Sequence, residues 1–140
     1  MAKARKHLKV ILDSSVWIAS LLENDYFHHQ ALRLIGKYSK LGYQIIIPLP
    51  VMLEIINVCM REKGKYWNII MLLKNLLKSY KQNITVLDAA ILIETAMHFA
   101  DKLSLKSQDF TIALYYAILK PEIFESYDKK LLRNIQQIKP

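Results

Sequence analysis

Short apolar runs alternate along this chain with longer stretches of helical spacing. The first run, residues 9–12, is apolar and β-branched, and helical spacing begins directly after Asp13. Similar strands are predicted at residues 43–48, 83–87 and 122–127. Helices are predicted at residues 24–41, 50–62, 66–80, 89–103 and 107–120, and a short one begins near Asp128. This alternation predicts an α/β fold, a three-layer α/β/α sandwich around a mainly parallel sheet.

No feature of the sequence divides the chain into parts. The 140 residues include only three glycines and four prolines, and no internal repeat or low-complexity segment interrupts them. A chain of this length with 53% hydrophobic residues is long enough to bury a core. We therefore predict a single domain over residues 1–140, in which residues 1–8 form a basic N-terminal arm.

Charge and cysteine content narrow the possible partners and the compartment. Lys and Arg number 20 against 12 Asp and Glu, and the formal charge of +8 attracts polyanions such as RNA. The single cysteine, Cys59, excludes an internal disulfide and a cysteine-rich zinc site. The basic start resembles a secretory signal, but Asp13 interrupts its apolar region, and no other apolar stretch approaches the roughly 20 residues of a membrane span. A cytoplasmic protein without a membrane segment is expected.

Four carboxylates stand near points where predicted strands give way to helices. Asp13 and Asp128 follow the first and last strands, Glu54 lies early in the helix after the second strand, and Asp109 lies in the first turn of a later helix. In parallel α/β folds the ligand site lies at the carboxyl ends of the strands, where loops lead into helices. The four side chains are therefore predicted to reach one crevice.

Each acid also has a purely structural explanation. Asp13 and Asp128 are suited to cap the helices that follow them, and Asp109 to lie at the positive end of its helix. Glu54 falls on one polar stripe with Asn57 and Arg61, on a helix that is otherwise apolar nearly all round and is therefore predicted to be buried. In the structural alternative, Glu54 pairs with Arg61 at the surface.

Carboxylates gathered in one pocket require protonation or a multivalent cation. Two like charges about 4 Å apart repel by about 4 kcal/mol at an effective dielectric constant of roughly 20. Oxygen ligands without cysteine or paired histidine suit Mg²⁺ or Mn²⁺. Such an ion lowers the pKa of a coordinated water and neutralises charge in phosphodiester hydrolysis. No phosphate-binding glycine motif and no Gly-x-Ser-x-Gly elbow occurs, so triphosphate hydrolysis and serine esterase chemistry are not favoured.

Four segments resemble the PIN-domain ribonucleases, and within them the VapC-type toxins of toxin–antitoxin pairs. They are VILDSSVWIASL, PLPVMLEIINV, LSLKSQDFTIALYYA and FESYDKKL, which lie in the family's order between residues 9 and 133. The resemblance implies a parallel sheet of about five strands, metal-dependent endonuclease activity on RNA, a homodimer, and an antitoxin protein that blocks the site. The last segment departs from the family, which often has Thr before its aspartate, whereas this chain has Ser126 followed by Tyr127.

The resemblance also implies roles for individual residues. Four carboxylates would form the catalytic site for Mg²⁺ or Mn²⁺: Asp13, Glu54, Asp109 and Asp128. Hydroxyl and amide side chains beside them would support the carboxylates or orient their waters: Ser14, Ser15, Ser126 and, by its place on the polar stripe, Asn57. Three cations close to the acids in sequence are predicted to contact RNA phosphates: Arg61, Lys129 and Lys130.

Two other functions fit the same residues. A PIN-like module without catalysis would bind RNA or a partner protein and not cut it. A flavodoxin-like regulatory domain would use Asp13 as a phosphoacceptor, although such domains usually pair two acids after the first strand, and here the neighbours are Leu12 and Ser14. Trp17, Trp67 and the eight tyrosines are candidates for stacking on unpaired bases, but aromatic residues in a domain of this size more often fill the core.

Overall fold

The computed structural model describes residues 8–139, in which it contains four strands and seven α-helices. The strands are β1 (Lys9–Leu12), β2 (Gln44–Pro48), β3 (Ile84–Thr85) and β4 (Ile123–Glu125). The helices are α1 (Ser14–Leu21), α2 (His28–Lys40), α3 (Leu49–Glu62), α4 (Ile69–Tyr80), α5 (Ala89–Phe99), α6 (Ser107–Leu119) and α7 (Lys129–Ile138). Except for Leu8, the predicted basic arm lies outside the described residues. Within residues 8–139, no helix is both long and apolar enough to span a membrane.

The strands form one sheet in the order β3–β2–β1–β4, and every neighbouring pair is parallel. Val10 in β1 pairs with Ile45 in β2 on one side and with Ile123 in β4 on the other. The chain thus moves outward from β1 through β2 to β3 and returns to the opposite side of β1. In open parallel sheets, such a reversal creates a crevice beyond the carboxyl ends of the strands on either side of it, which here are β1 and β4.

The predicted α/β architecture with a parallel sheet is confirmed, but the implied number of about five strands is wrong for the described part of the chain, which has four. The segment after β4 is helical, because Asp128 caps α7 and the helix continues to Ile138. Only Lys139 follows it among the described residues, which leaves no segment for a further strand.

Trp17 fixes the first helix to the first strand. Its side chain is fully buried, and its Nε1 donates a hydrogen bond to the carbonyl oxygen of Leu12 at 3.1 Å. The ring also packs edge-to-face against Tyr80, with 5.0 Å between the ring centroids. Trp17 is therefore a core residue and is unavailable for stacking on a base, and its packing holds the turn between β1 and α1 in place.

Two helices differ from their predicted form. Helix α2 begins at His28 and not near residue 24, because the Asp25 carboxylate accepts a hydrogen bond from the backbone N–H of Phe27 at 2.8 Å and holds residues 25–27 in a turn. The prediction that α3 is buried all round is wrong, since the Leu53 side chain is 56% exposed. One face of α3 lies at the surface, and Asn57 and Arg61 are exposed there too.

Candidate active site

Asp13 follows β1 directly and is buried, with 4% of its surface exposed. It stands at the N-terminus of α1, yet its side chain makes no capping hydrogen bond. Oδ2 instead accepts hydrogen bonds from the hydroxyls of Ser126, at 2.8 Å, and Ser15, at 3.2 Å. Oδ1 is buried and has no hydrogen-bond partner within residues 8–139. Burial raises the pKa of Asp13, and the Ser126 hydroxyl is the largest influence in the opposite direction.

Two serine hydroxyls join the ends of β1 and β4 around this carboxylate. The backbone N–H of Asp13 donates to the Glu125 carbonyl oxygen at 2.9 Å, which extends the pairing of the two strands. Beyond that point, Ser15 Oγ accepts from the backbone N–H of Tyr127, and Ser126 Oγ accepts from that of Asp128, both at 3.0 Å. The predicted support of Asp13 by hydroxyls thus comes from both strand ends, and residues 126–128 are held next to it.

Asp128 serves as the N-cap of α7. Its Oδ1 accepts hydrogen bonds from the backbone N–H groups of Lys130 and Leu131 at 3.0 and 3.1 Å. Asp128 therefore caps its helix, as its structural explanation predicted, whereas the Asp13 side chain does not cap α1. Lys129 and Lys130 are exposed in the first turn of α7, beside this carboxylate in sequence.

Glu54 is half-buried in α3 and accepts a hydrogen bond from the buried hydroxyl of Ser14. This contact links α3 to α1 next to Asp13. No ion pair between Glu54 and Arg61 is found in the described part of the chain, where the one close pair of opposite charges is Glu62 with Lys65 at 3.6 Å. The surface ion pair considered for Glu54 is therefore wrong, and the carboxylate belongs to the end of the sheet that carries Asp13.

Asp109, in the first turn of α6, is half-buried, and the charges of the other three acids act on its carboxylate. Burial has the largest effect on the pKa of Asp109 and raises it, and the negative charges of Asp128, Asp13 and Glu54 raise it further. Lys106, immediately before α6, lowers the pKa of Asp109. The prediction from sequence missed Lys106, although its place three residues before Asp109 on the same helix start was a usable signal.

Among the described residues, the acids at this end of the sheet do not form a closed metal-binding cluster. Within residues 8–139, no group of three or more His, Cys, Asp or Glu side chains is close enough to bind one ion together. Asp13 nevertheless offers a buried oxygen without a partner among the described residues. Its charge acts on Asp109 together with the charges of Asp128 and Glu54. This combination fits a hydrated ion, because Mg²⁺ commonly binds through one or two carboxylates and keeps several waters.

Comparisons with known proteins agree with this fold. A family profile described as PIN domain matches residues 10–136. Among solved structures, the chain is similar to Mycobacterium tuberculosis VapC20, described as a sarcin–ricin loop cleaving toxin, with a TM-score of 0.67 and 15% identity over 89% of this chain and 93% of that one. No curated protein sequence matches this chain. Since the profile covers nearly the whole sequence, the chain belongs to the PIN domain family.

Proposed function

We propose that this protein is a metal-dependent endoribonuclease of the VapC type, which hydrolyses phosphodiester bonds in RNA. The observation that carries the proposal is the buried Oδ1 of Asp13 at the switch point of the sheet, which has no hydrogen-bond partner among the described residues. The charges of Asp13, Glu54 and Asp128 act together on Asp109, as expected of acids that share one site. Membership of the PIN domain family, the net charge of +8 and the similar fold of an RNA-cleaving toxin support it.

Mg²⁺ or Mn²⁺ would be held by Asp13, Glu54, Asp109 and Asp128, directly or through water. When bound, such an ion supplies positive charge at the phosphate and an activated water. The residues around the acids keep them in position, since Ser126 and Ser15 hold Asp13 and Ser14 holds Glu54.

Several exposed side chains suit the RNA itself. Lys129 and Lys130 begin the helix that Asp128 caps, Arg61 lies two turns beyond Glu54, and Lys106 acts on Asp109. Cations at such positions bind phosphate oxygens and orient the strand without reading its sequence. Asn57, also exposed on α3, is proposed to orient water near Glu54.

Cleavage of RNA by the purified protein tests this proposal. We expect end-labelled single-stranded RNA, or a ribosomal hairpin that includes the sarcin–ricin loop, to be cut internally in the presence of Mn²⁺ or Mg²⁺ and to stay intact in EDTA. Gel mapping of the products gives the position of the cut. Intact RNA across a broad panel of substrates with both metals would contradict the proposal.

A second function is favoured by two specific observations. The Asp128 carboxylate is already used as a helix cap, and no three acids among the described residues converge on one ion. A PIN-like module that binds RNA or a protein without cutting would need no such convergence. Calorimetric titration with Mn²⁺ separates the two functions, because the nuclease binds the ion with measurable heat and a module without a metal site does not.

Helix α5 supports the homodimer that the family resemblance implies. None of its residues is buried, and its only ionisable side chains are Glu94 and His98. Ile93 and Met97, one turn apart, are 61% and 77% exposed. An exposed apolar surface of this kind suits a second copy that covers it. We propose that two chains associate through α5.

Replacing Ile93 by Glu is expected to shift the protein from dimer to monomer, because the interface would bury two carboxylates without partners. Sedimentation velocity measures the change directly. Met71→Glu is the matched control, since Met71 is 53% exposed on α4, and it should leave the dimer intact. A wild-type protein that sediments as a monomer at all concentrations would rule out the proposed association.

The antitoxin is proposed to use another surface. A groove of about 290 Å³ opens between α1, α2 and α4. Its lining is largely apolar and includes Leu21, Leu32, Ile35, Leu72 and Leu76. A groove of this composition suits the apolar face of an amphipathic helix. We propose that a helix of the cognate antitoxin lies there.

A further inference from the structure

Tyr26 leaves its side chain almost completely in solvent. It lies in the turn between α1 and α2 and is 92% exposed, the highest value among the large hydrophobic residues described. Its ring makes an edge-to-face contact with Phe27, with 4.9 Å between centroids and 86° between planes. An aromatic ring that is this exposed can receive another planar group.

Phe27 links this exposed ring to the candidate active site. Its ring stacks on that of Tyr127, with centroids 4.1 Å apart and planes inclined by 8°. Tyr127 stands between Ser126 and Asp128, and its backbone N–H donates to Ser15 Oγ at 3.0 Å. Two ring contacts therefore connect Tyr26 with the end of β4, where Ser126 donates to Asp13 and Asp128 follows.

The charges around Tyr26 indicate which part of an RNA it suits. Glu23 and Asp25 precede it. Burial raises the pKa of Tyr127 most, the charges of Glu125 and Asp25 raise it further, and Arg33 lowers it. These carboxylates repel phosphate groups. They do not repel the face of an uncharged base, and stacking of bases on aromatic side chains tolerates any base because each has a π-face.

We infer that Tyr26 is a stacking platform for one unpaired nucleobase of the RNA, next to the bond that is cleaved. The inference rests on the proposed ribonuclease function and adds a subsite to it. It assigns to the α1–α2 turn the placement of the base of one single-stranded nucleotide.

Binding measured without catalysis tests the stacking. The fluorescence anisotropy of a labelled 12-nucleotide oligo(A) is followed in EDTA, with the full chain and at low salt. Tyr26→Ala is expected to weaken binding about 10-fold, within the range found when alanine replaces an aromatic residue that stacks on a base. Tyr26→Phe should bind like the wild type, whereas Tyr26→Leu, which keeps apolar bulk without a ring, should bind like Tyr26→Ala. Because Tyr26 is so exposed, all three variants should melt within a few degrees of the wild type.

The position next to the cut is tested with RNA that is cleaved in Mn²⁺. One abasic nucleotide beside the mapped cleavage site should lower kcat/KM of the wild type by about the same factor as Tyr26→Ala, and it should lower that of Tyr26→Ala no further. The subsite is overturned if, at every abasic position, the loss of kcat/KM caused by the abasic nucleotide multiplies the loss caused by Tyr26→Ala.

The outcomes separate the subsite from the ribonuclease. The inference is overturned if Tyr26→Ala binds oligo(A) as tightly as the wild type. It is also overturned if Tyr26→Leu binds oligo(A) as tightly as Tyr26→Phe. Neither result contradicts the proposed nuclease activity. If Tyr26→Ala binds oligo(A) more weakly than the wild type but the wild type cleaves no RNA, the result supports the stacking and counts against the nuclease. Absence of RNA binding by the wild type overturns both.

Discussion

Replacement of Asp13 by Asn is expected to lower kcat/KM for RNA cleavage by at least about 100-fold, because loss of groups that merely support metal ligands already costs 10- to 100-fold. The change is nearly isosteric, and Asn still accepts the Ser126 and Ser15 hydrogen bonds. The loss therefore reports the missing charge and not a collapsed site. Asp101→Asn, the same change at an exposed position, is the control and should retain full activity. Equal activity of the two variants would remove Asp13 from the catalytic site.

The same variant is expected to be more stable than the wild type at neutral pH when no divalent ion is present. Burial raises the pKa of Asp13 above its value of 3.8 in the unfolded chain, so the neutral carboxyl favours the folded state. That stabilisation is complete below the unfolded pKa and is lost as the pH rises through the folded pKa. Asn is neutral throughout, and the stability of Asp13→Asn relative to the wild type should therefore increase with pH over this interval.

Urea unfolding in EDTA at a series of pH values measures this difference. A stability difference between the two proteins that does not change with pH would show that ionisation of Asp13 does not oppose folding. Addition of Mn²⁺ at neutral pH should then stabilise the wild type more than Asp13→Asn, because the ion offsets the buried charge.

Replacement of Trp17 by Ala is expected to cost about 3–5 kcal/mol of unfolding free energy, a large part of the roughly 5–15 kcal/mol that holds a domain together. The variant loses the fully buried ring, its hydrogen bond to the Leu12 carbonyl oxygen and its contact with Tyr80. Trp67→Ala provides the matched comparison, since that ring is 89% exposed, and its cost should stay within about 0.5 kcal/mol.

Denaturant unfolding followed by circular dichroism measures both tryptophan variants. Equal destabilisation by the two substitutions would contradict the placement of Trp17 in the core. Reduced activity of any folded Trp17→Ala protein is expected as well, because α1 begins next to Asp13 and is held against β1 by this ring.

The strand-to-helix junctions were readable from the sequence because each has a local signal. A short apolar run followed by an acid and then by helical spacing marks the end of β1, and the positions of Glu54 and Asp109 near helix starts follow the same logic. These signals depend on neighbouring residues only. They predicted the parallel α/β fold and the side of the sheet where the acids lie.

The different use of Asp13 and Asp128 was not predictable in the same way. Both acids precede a helix, but only Asp128 caps it. The difference arises because β4 pairs with β1 and brings the Ser126 hydroxyl to the Asp13 carboxylate, across 113 residues of sequence. A contact of such range leaves no local pattern.

Apolar composition alone also failed to distinguish a buried helix from one with an exposed apolar face. The pattern of α3 predicted burial all round, yet Leu53 is exposed. Helix α5 is mostly apolar and has no buried residue. The periodicity of a sequence reports which face is apolar and cannot report whether the same chain or another molecule covers it.

The hydrogen bonds of Ser15 and Ser126, which join the ends of β1 and β4, make the acidic site depend on the order in which the chain is synthesised. The hydroxyl that orients Asp13 belongs to Ser126, and Asp128 follows two residues later, so both are synthesised long after Asp13. A nascent chain that lacks its last strand therefore has the first carboxylate without its support. Assembly of the site must await synthesis of β4 and of residues 126–128, so translation products truncated before β4 are expected to be inert towards RNA.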